Sequence, residues 1–120
     1  MSQNTENLQK WLAKRNIDSP MKEFESAIES EVDEYTEAMI ESDEHEIVDA
    51  CADMIVLAKN QLILKGYNPD KVLAETIKEI SSRVQDPEQA SRDWSHEKWA
   101  KDKNQDPDTM YKADYTDCKL

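Results

Sequence analysis

A single all-α domain is the fold class this sequence predicts, built as a four-helix-type bundle with a short N-terminal helix and a C-terminal helical or irregular segment. Three observations predict it. The 120 residues include one Gly and four Pro, so turn-forming residues are scarce and the elements must be few and long. Apolar residues recur at steps of three and four, the helical period. The pairs Ser19-Pro20 and Asn68-Pro69 each combine a capping side chain with a first-turn proline ahead of such a run. The length suits one domain with one core, placed at about residues 20–85, with residues 86–120 as a covering segment.

The elements follow in order. Thr5 is the expected cap of a helix over residues 6–16, with Leu8, Trp11 and Leu12 on one side. Residues 16–19 form a linker, and Ser19-Pro20 opens a long helix to about Ser42. Its apolar stripe is Met21, Phe24, Ala27, Ile28, Tyr35, Ala38 and Met39. Glu31 falls inside this stripe and Glu34 on its edge.

A polar corner at residues 42–44 leads to a second long helix over about 44–65, stopped by Gly66. From Ile47 to Leu57 this helix is apolar nearly all round, as expected of a central buried element in which Cys51 is a small buried hydrophobe. Only Asp49 and Asp53 interrupt it. Asn68-Pro69 then opens a third long helix to about Val84, with Val72, Leu73, Thr76, Ile77 and Ile80 inward. A further short helix over 87–101 carries Trp94 and Trp99, which suit a core or interface as well as base stacking. The tail from Asp102 is polar and has a turn at Asp106-Pro107.

Charge is the most unusual property. Between Glu23 and Asp53 there are thirteen acidic residues and no Lys or Arg, which exceeds the net charge of −12 for the whole chain. Like charges at i,i+4 repel on a helix, so this stretch calls for an offset, and divalent cations would provide it. Most of the thirteen suit a solvated face. Glu46, Asp49, Asp53 and Asn60, however, follow steps of three, four and seven and share one helical face. Carboxylates at apolar positions must be paired, protonated or metal-bound, since burying a lone charge is costly. Only five basic residues precede residue 61, so internal partners are few.

Two carboxylates one turn apart can share a cation, and two such pairs on adjacent helices make an oxygen-rich box suited to Mg²⁺, with Mn²⁺ as an alternative. The two Cys residues are too far apart in sequence for a zinc pattern, and the two His form no Glu-x-x-His motif for a di-iron bundle. A polyphosphate would complete the cation's oxygen shell, and a carboxylate not committed to it could take a proton from an attacking water. A pI near 4.5 argues against a nucleic-acid or anionic membrane partner. A polar N-terminus and the absence of a long apolar run predict a soluble, cytoplasmic protein.

Glu31-x-x-Glu34, a gap of eleven residues, Glu46-x-x-Asp49 and then Asp53 resemble the MazG-like all-α nucleoside triphosphate pyrophosphohydrolases. The resemblance covers about residues 20–85. It implies a Mg²⁺-dependent homodimer or dimer of dimers that cleaves nucleoside triphosphates between the α- and β-phosphates. It also implies that Glu31, Glu34 and Asp53 bind metal, with Glu46 or Asp49 as the fourth acid and Asp49 preferred. Ala50 stands where many members carry the second-motif glutamate. Glu79, Ile80 and Arg83 replace a Ser-Asn-Lys set, leaving Arg83 as a phosphate contact or a solvated helix end. Lys101, Tyr111, Lys112 and Tyr115 resemble a segment that covers substrate, and Asn60 is a candidate for base or sugar. Two other function classes remain open: a non-catalytic acidic interaction protein, and a phosphohydrolase of another phosphorylated metabolite, such as the phosphoribosyl nucleotide of a related enzyme.

Overall fold

A computed structural model describes residues 1–83 and 111–120, and they are all-α, with no extended strand among them. Helix α1 spans Gln3–Lys14, α2 Phe24–Glu41, α3 Glu44–Leu64 and α4 Pro69–Arg83, and a short 3₁₀ turn covers Thr116–Cys118. These residues form two compact units, one of Met1–Pro69 with Leu120 and one of Asp70–Lys119. The expected helix over 87–101, with Trp94 and Trp99, lies outside the described residues.

Helix α1 begins three residues before the sequence suggested. Ser2, not Thr5, is its cap: the Ser2 hydroxyl accepts from the Thr5 N–H at 3.2 Å, while Thr5 is fully buried inside the first turn. The helix ends in a Schellman motif. Asn16 takes the left-handed conformation (φ 56°), its N–H reaching the Ala13 carbonyl, and the Ile17 N–H reaches back to Leu12.

Helix α2 starts later than its expected Ser19-Pro20 cap. The side chain of Gln61 on α3 accepts from the Met21 N–H at 2.9 Å and donates to the Met21 carbonyl, so this backbone is tied to α3 rather than to its own helix. The first turn therefore starts at Phe24, behind a Glu23 cap that makes no side-chain bond.

The joint between α2 and α3 is two residues long and uses both. Ser42 (φ 54°) is left-handed, its N–H reaching Met39, and the Asp43 N–H closes on Ala38. Asp43 then caps α3 through its carboxylate, which accepts from the Glu46 N–H. So short a connection folds the two helices back as an antiparallel pair. Ala38 and Ala50 are nearly fully buried, and their small side chains let the two backbones approach. Gly66 stops α3 as expected: at φ 90° it passes its N–H to Ile63 while the Tyr67 N–H reaches Leu62. Its carbonyl accepts from the Leu120 N–H.

Burial departs from expectation. Helix α3 is not a buried central element within the chain: Val48, Ile55 and Val56 are exposed, and so is Cys51, the thiol expected to be buried. Met39 on α2 is likewise exposed, as are Leu73 and Ile77 on α4. The apolar core of the first unit reduces to Leu12, Ala38, Ala50 and Pro69, beside the buried polar residues Thr5, Asn60 and Asn68. Two helices present apolar residues over a wider arc than a single neighbour can cover.

In the second unit the last residues lie along α4. The Tyr111 hydroxyl donates to the Glu75 carboxylate, which also accepts from the Asp114 N–H, and the Lys78 ammonium sits 4.2 Å from the centroid of the Tyr111 ring. Thr76 and Tyr115 share a hydroxyl hydrogen bond of 2.9 Å, and Cys118 is buried.

Candidate metal centre

The antiparallel pair α2/α3 brings two acidic faces together. Glu31 and Glu34, one turn apart on α2, meet Asp53 from α3, and a carboxylate oxygen from each lies within 4.8 Å of the others. Around them is an open groove of about 480 Å³ lined by Glu31, Glu34, Glu37, Ala38, Glu41, Glu46, Asp49 and Asp53. Seven carboxylates thus share one concavity with a single apolar side chain.

Electrostatics marks Glu31 as the strained member. Its acid pKa rises from 4.5 to about 7. Burial is the largest cause, followed by a hydrogen bond with Glu34 and then by the charges of Glu34, Asp53 and Asp49. Its Oε2 atom is buried and has no hydrogen-bond partner. A carboxylate that keeps an orphaned oxygen and is grouped with two further carboxylates fits a hard cation with oxygen ligands, because the cation satisfies the lone pairs and removes the repulsion together. Glu31, Glu34 and Asp53 therefore form a candidate divalent-cation site.

The remaining sequence candidates are placed as follows. Asp49 lines the groove and acts on Glu31 through its charge, and Glu46 lines it one turn earlier on α3. Asn60 lies two turns beyond Asp53, at 4 % exposure, with its Oδ1 unpartnered; it is not in the groove wall. Arg83 is the last residue of α4. Tyr111 and Tyr115 make the α4 contacts above, Lys112 is exposed, and Lys101 lies outside the described residues. Glu37 and Glu41 are groove residues that sequence reasoning passed over. Their signal was present, since 34, 37 and 41 step by three and four along one face.

The first described unit thus matches the resemblance read from its acidic motifs: a helical hairpin with carboxylates of both helices converging. No curated protein and no solved structure is similar enough to the chain to count as a match. A family profile does match, that of phosphoribosyl-ATP pyrophosphohydrolase, over residues 1–80, which include α1, the whole acidic hairpin and most of α4. With two thirds of its length inside that match, and with the acidic hairpin inside it, the chain belongs to the phosphoribosyl-ATP pyrophosphohydrolase family, within the wider MazG-like all-α group.

Proposed function

We propose that the protein is a Mg²⁺-dependent pyrophosphohydrolase of a phosphorylated nucleotide metabolite, of the class to which phosphoribosyl-ATP belongs. The convergence of Glu31, Glu34 and Asp53, with one buried Glu31 oxygen left without a partner, carries this reading. The family match favours such a metabolite over ordinary nucleoside triphosphates, which form the second reading on the strength of the motif spacing.

In this reading Glu31, Glu34 and Asp53 hold the cation, with Asp49 or Glu46 as a further ligand. The bound cation supplies neutralisation of phosphate charge and a lower pKa for water. A groove carboxylate left uncommitted, Asp49 or Glu46, takes one proton from a water whose oxygen attacks the α-phosphorus. The bond from that phosphorus to the bridging oxygen breaks, and pyrophosphate leaves with the bond's electron pair. Asn60 keeps a buried acceptor in reserve on the same face of α3, which suits a sugar hydroxyl or a base amino group.

The working unit is proposed to be a homodimer. Val32, Met39, Ile40, Val48, Ile55 and Val56 are exposed on the α2/α3 hairpin, and a second copy of the hairpin offers a surface of the same kind. No helix of the described residues is long and apolar enough to cross a membrane.

The test is direct. Phosphoribosyl-ATP and a panel of ribo- and deoxyribonucleoside triphosphates are incubated with the protein and Mg²⁺, and pyrophosphate is resolved from orthophosphate. Pyrophosphate release from phosphoribosyl-ATP in preference to the panel is the expected result. Release from the triphosphates alone supports the second reading. No release from any substrate, combined with no Mg²⁺ binding, leaves the acidic interaction protein.

A further inference from the structure

Helix α1 has two faces of different character. Thr5 and Leu12 are buried, whereas Asn7, Lys10, Trp11, Lys14 and Arg15 line a second concave surface on the outward side. The Arg15 guanidinium lies 4.1 Å from the Trp11 ring centroid and donates to the Trp11 carbonyl at 3.2 Å. Trp11 is 43 % exposed. The indole therefore does not fill a core. It holds one cation in place beside two others in a chain whose net charge is −12.

The structure also holds a surface of matching pattern and opposite charge. On α2, Glu25, Glu29, Asp33, Glu37 and Glu41 follow one another at strict intervals of four and are all exposed. Each step places like charges as helix-surface neighbours, an unfavourable arrangement within one chain. Steps of four advance about 6 Å along a helix, and Lys10 and Lys14 are separated by the same step. Glu37 and Glu41 belong to the metal groove, whereas Glu25, Glu29 and Asp33 do not line it. Among the described residues, neither Lys10, Lys14 and Arg15 nor Glu25, Glu29 and Asp33 are engaged in an ion pair.

From the charge complementarity and shared spacing of these two stripes, we infer that the basic, aromatic cleft of α1 docks on the Glu25/Glu29/Asp33 ridge of a second copy of this chain. Each copy carries both halves, so a two-fold arrangement uses each half once per copy. The Trp11–Arg15 stack pre-orders one of the three cations, which lowers the entropy lost on docking. The contact stands independently of the hydrolytic reading and of the apolar hairpin face.

The experiment is a charge swap on the full chain, read by sedimentation velocity and by capture of an untagged copy by a tagged one. Lys10→Glu/Lys14→Glu and Glu29→Lys/Asp33→Lys are made separately, all at exposed positions. Each is expected to weaken self-association about tenfold or more, and an equimolar mixture of the two is expected to recover the affinity that each has lost. Lys10→Gln/Lys14→Gln, which removes charge without adding repulsion, should give a smaller loss. Self-association unchanged in both reversal variants, a mixture that recovers nothing, or a monomeric wild type overturns the inference. So does a cleft whose reversal abolishes binding to single-stranded DNA or to anionic phospholipid vesicles and leaves self-association intact.

Discussion

At Glu31 a single carboxylate joins the fold to the chemistry. Its pKa is raised to about 7 from 4.5, chiefly by burial and then by its acidic neighbours. A carboxyl raised in the folded state contributes most at low pH. Its contribution is complete below pH 4.5 and is lost as pH rises through about 7, where the folded protein must accept the charge. The metal-free protein should therefore lose stability across that window, and Glu31→Gln should flatten the profile; urea titrations from pH 4 to 8 measure both. Mg²⁺ should reverse the trend, binding more tightly as pH rises, because it competes with the proton for the same oxygens. Asp53→Asn should leave the helical content intact, lower Mg²⁺ affinity by calorimetry and reduce kcat/KM about 100-fold or more. Unchanged affinity in that variant removes Asp53 from the site.

Element by element, helix termination shows how much could be read in advance. All three helices of the first unit end in the same left-handed turn, at Asn16, Ser42 and Gly66. Only Gly66 announces itself, because glycine is the residue that adopts φ 90° without a Cβ penalty. Ser42 does so at a cost, forced by the two-residue joint that sets α2 against α3. Ser42→Gly should accordingly raise stability by up to about 1 kcal/mol, measured by chemical denaturation. Gly66→Ala should lower it by about 1 kcal/mol. A Cβ there meets nothing within 4 Å, so the loss reports backbone strain alone. Helix starts were less legible for a related reason. Ser2 and Asp43 cap as local chemistry dictates, but the start of α2 is set by Gln61, forty residues away.

For the molecule as a whole, the apolar residues outnumber the places one chain provides to bury them. Val48, Ile55 and Val56 on α3 and Met39 on α2 remain exposed although their periodicity reads as core, and Val32 and Ile40 on α2 are exposed beside them. A protein completed by a second copy should show a melting temperature that rises with protein concentration, as mass action requires. Ile55→Asp should weaken the concentration dependence and shift the sedimentation profile toward smaller species. A monomeric wild type with a fixed melting temperature counts against the dimer. The exposed Cys51 offers a reporter on this same helix, and its labelling by a thiol reagent should be faster in the Ile55→Asp variant than in the wild type.

The sequence by itself determined the helical class, the order of the helices, the stop at Gly66 and the pairing of Glu31 and Glu34 with Asp53. Each rests on local physics: periodicity, capping chemistry and the near-identity of direction of side chains three or four residues apart. Tertiary structure alone decided that Glu31 keeps a buried oxygen without a partner and that α3 is open along one side. Periodicity names the face of a helix but not what lies opposite it. Only the packing of α2 on α3 decides whether an inward face meets a neighbour, a cation or open solvent.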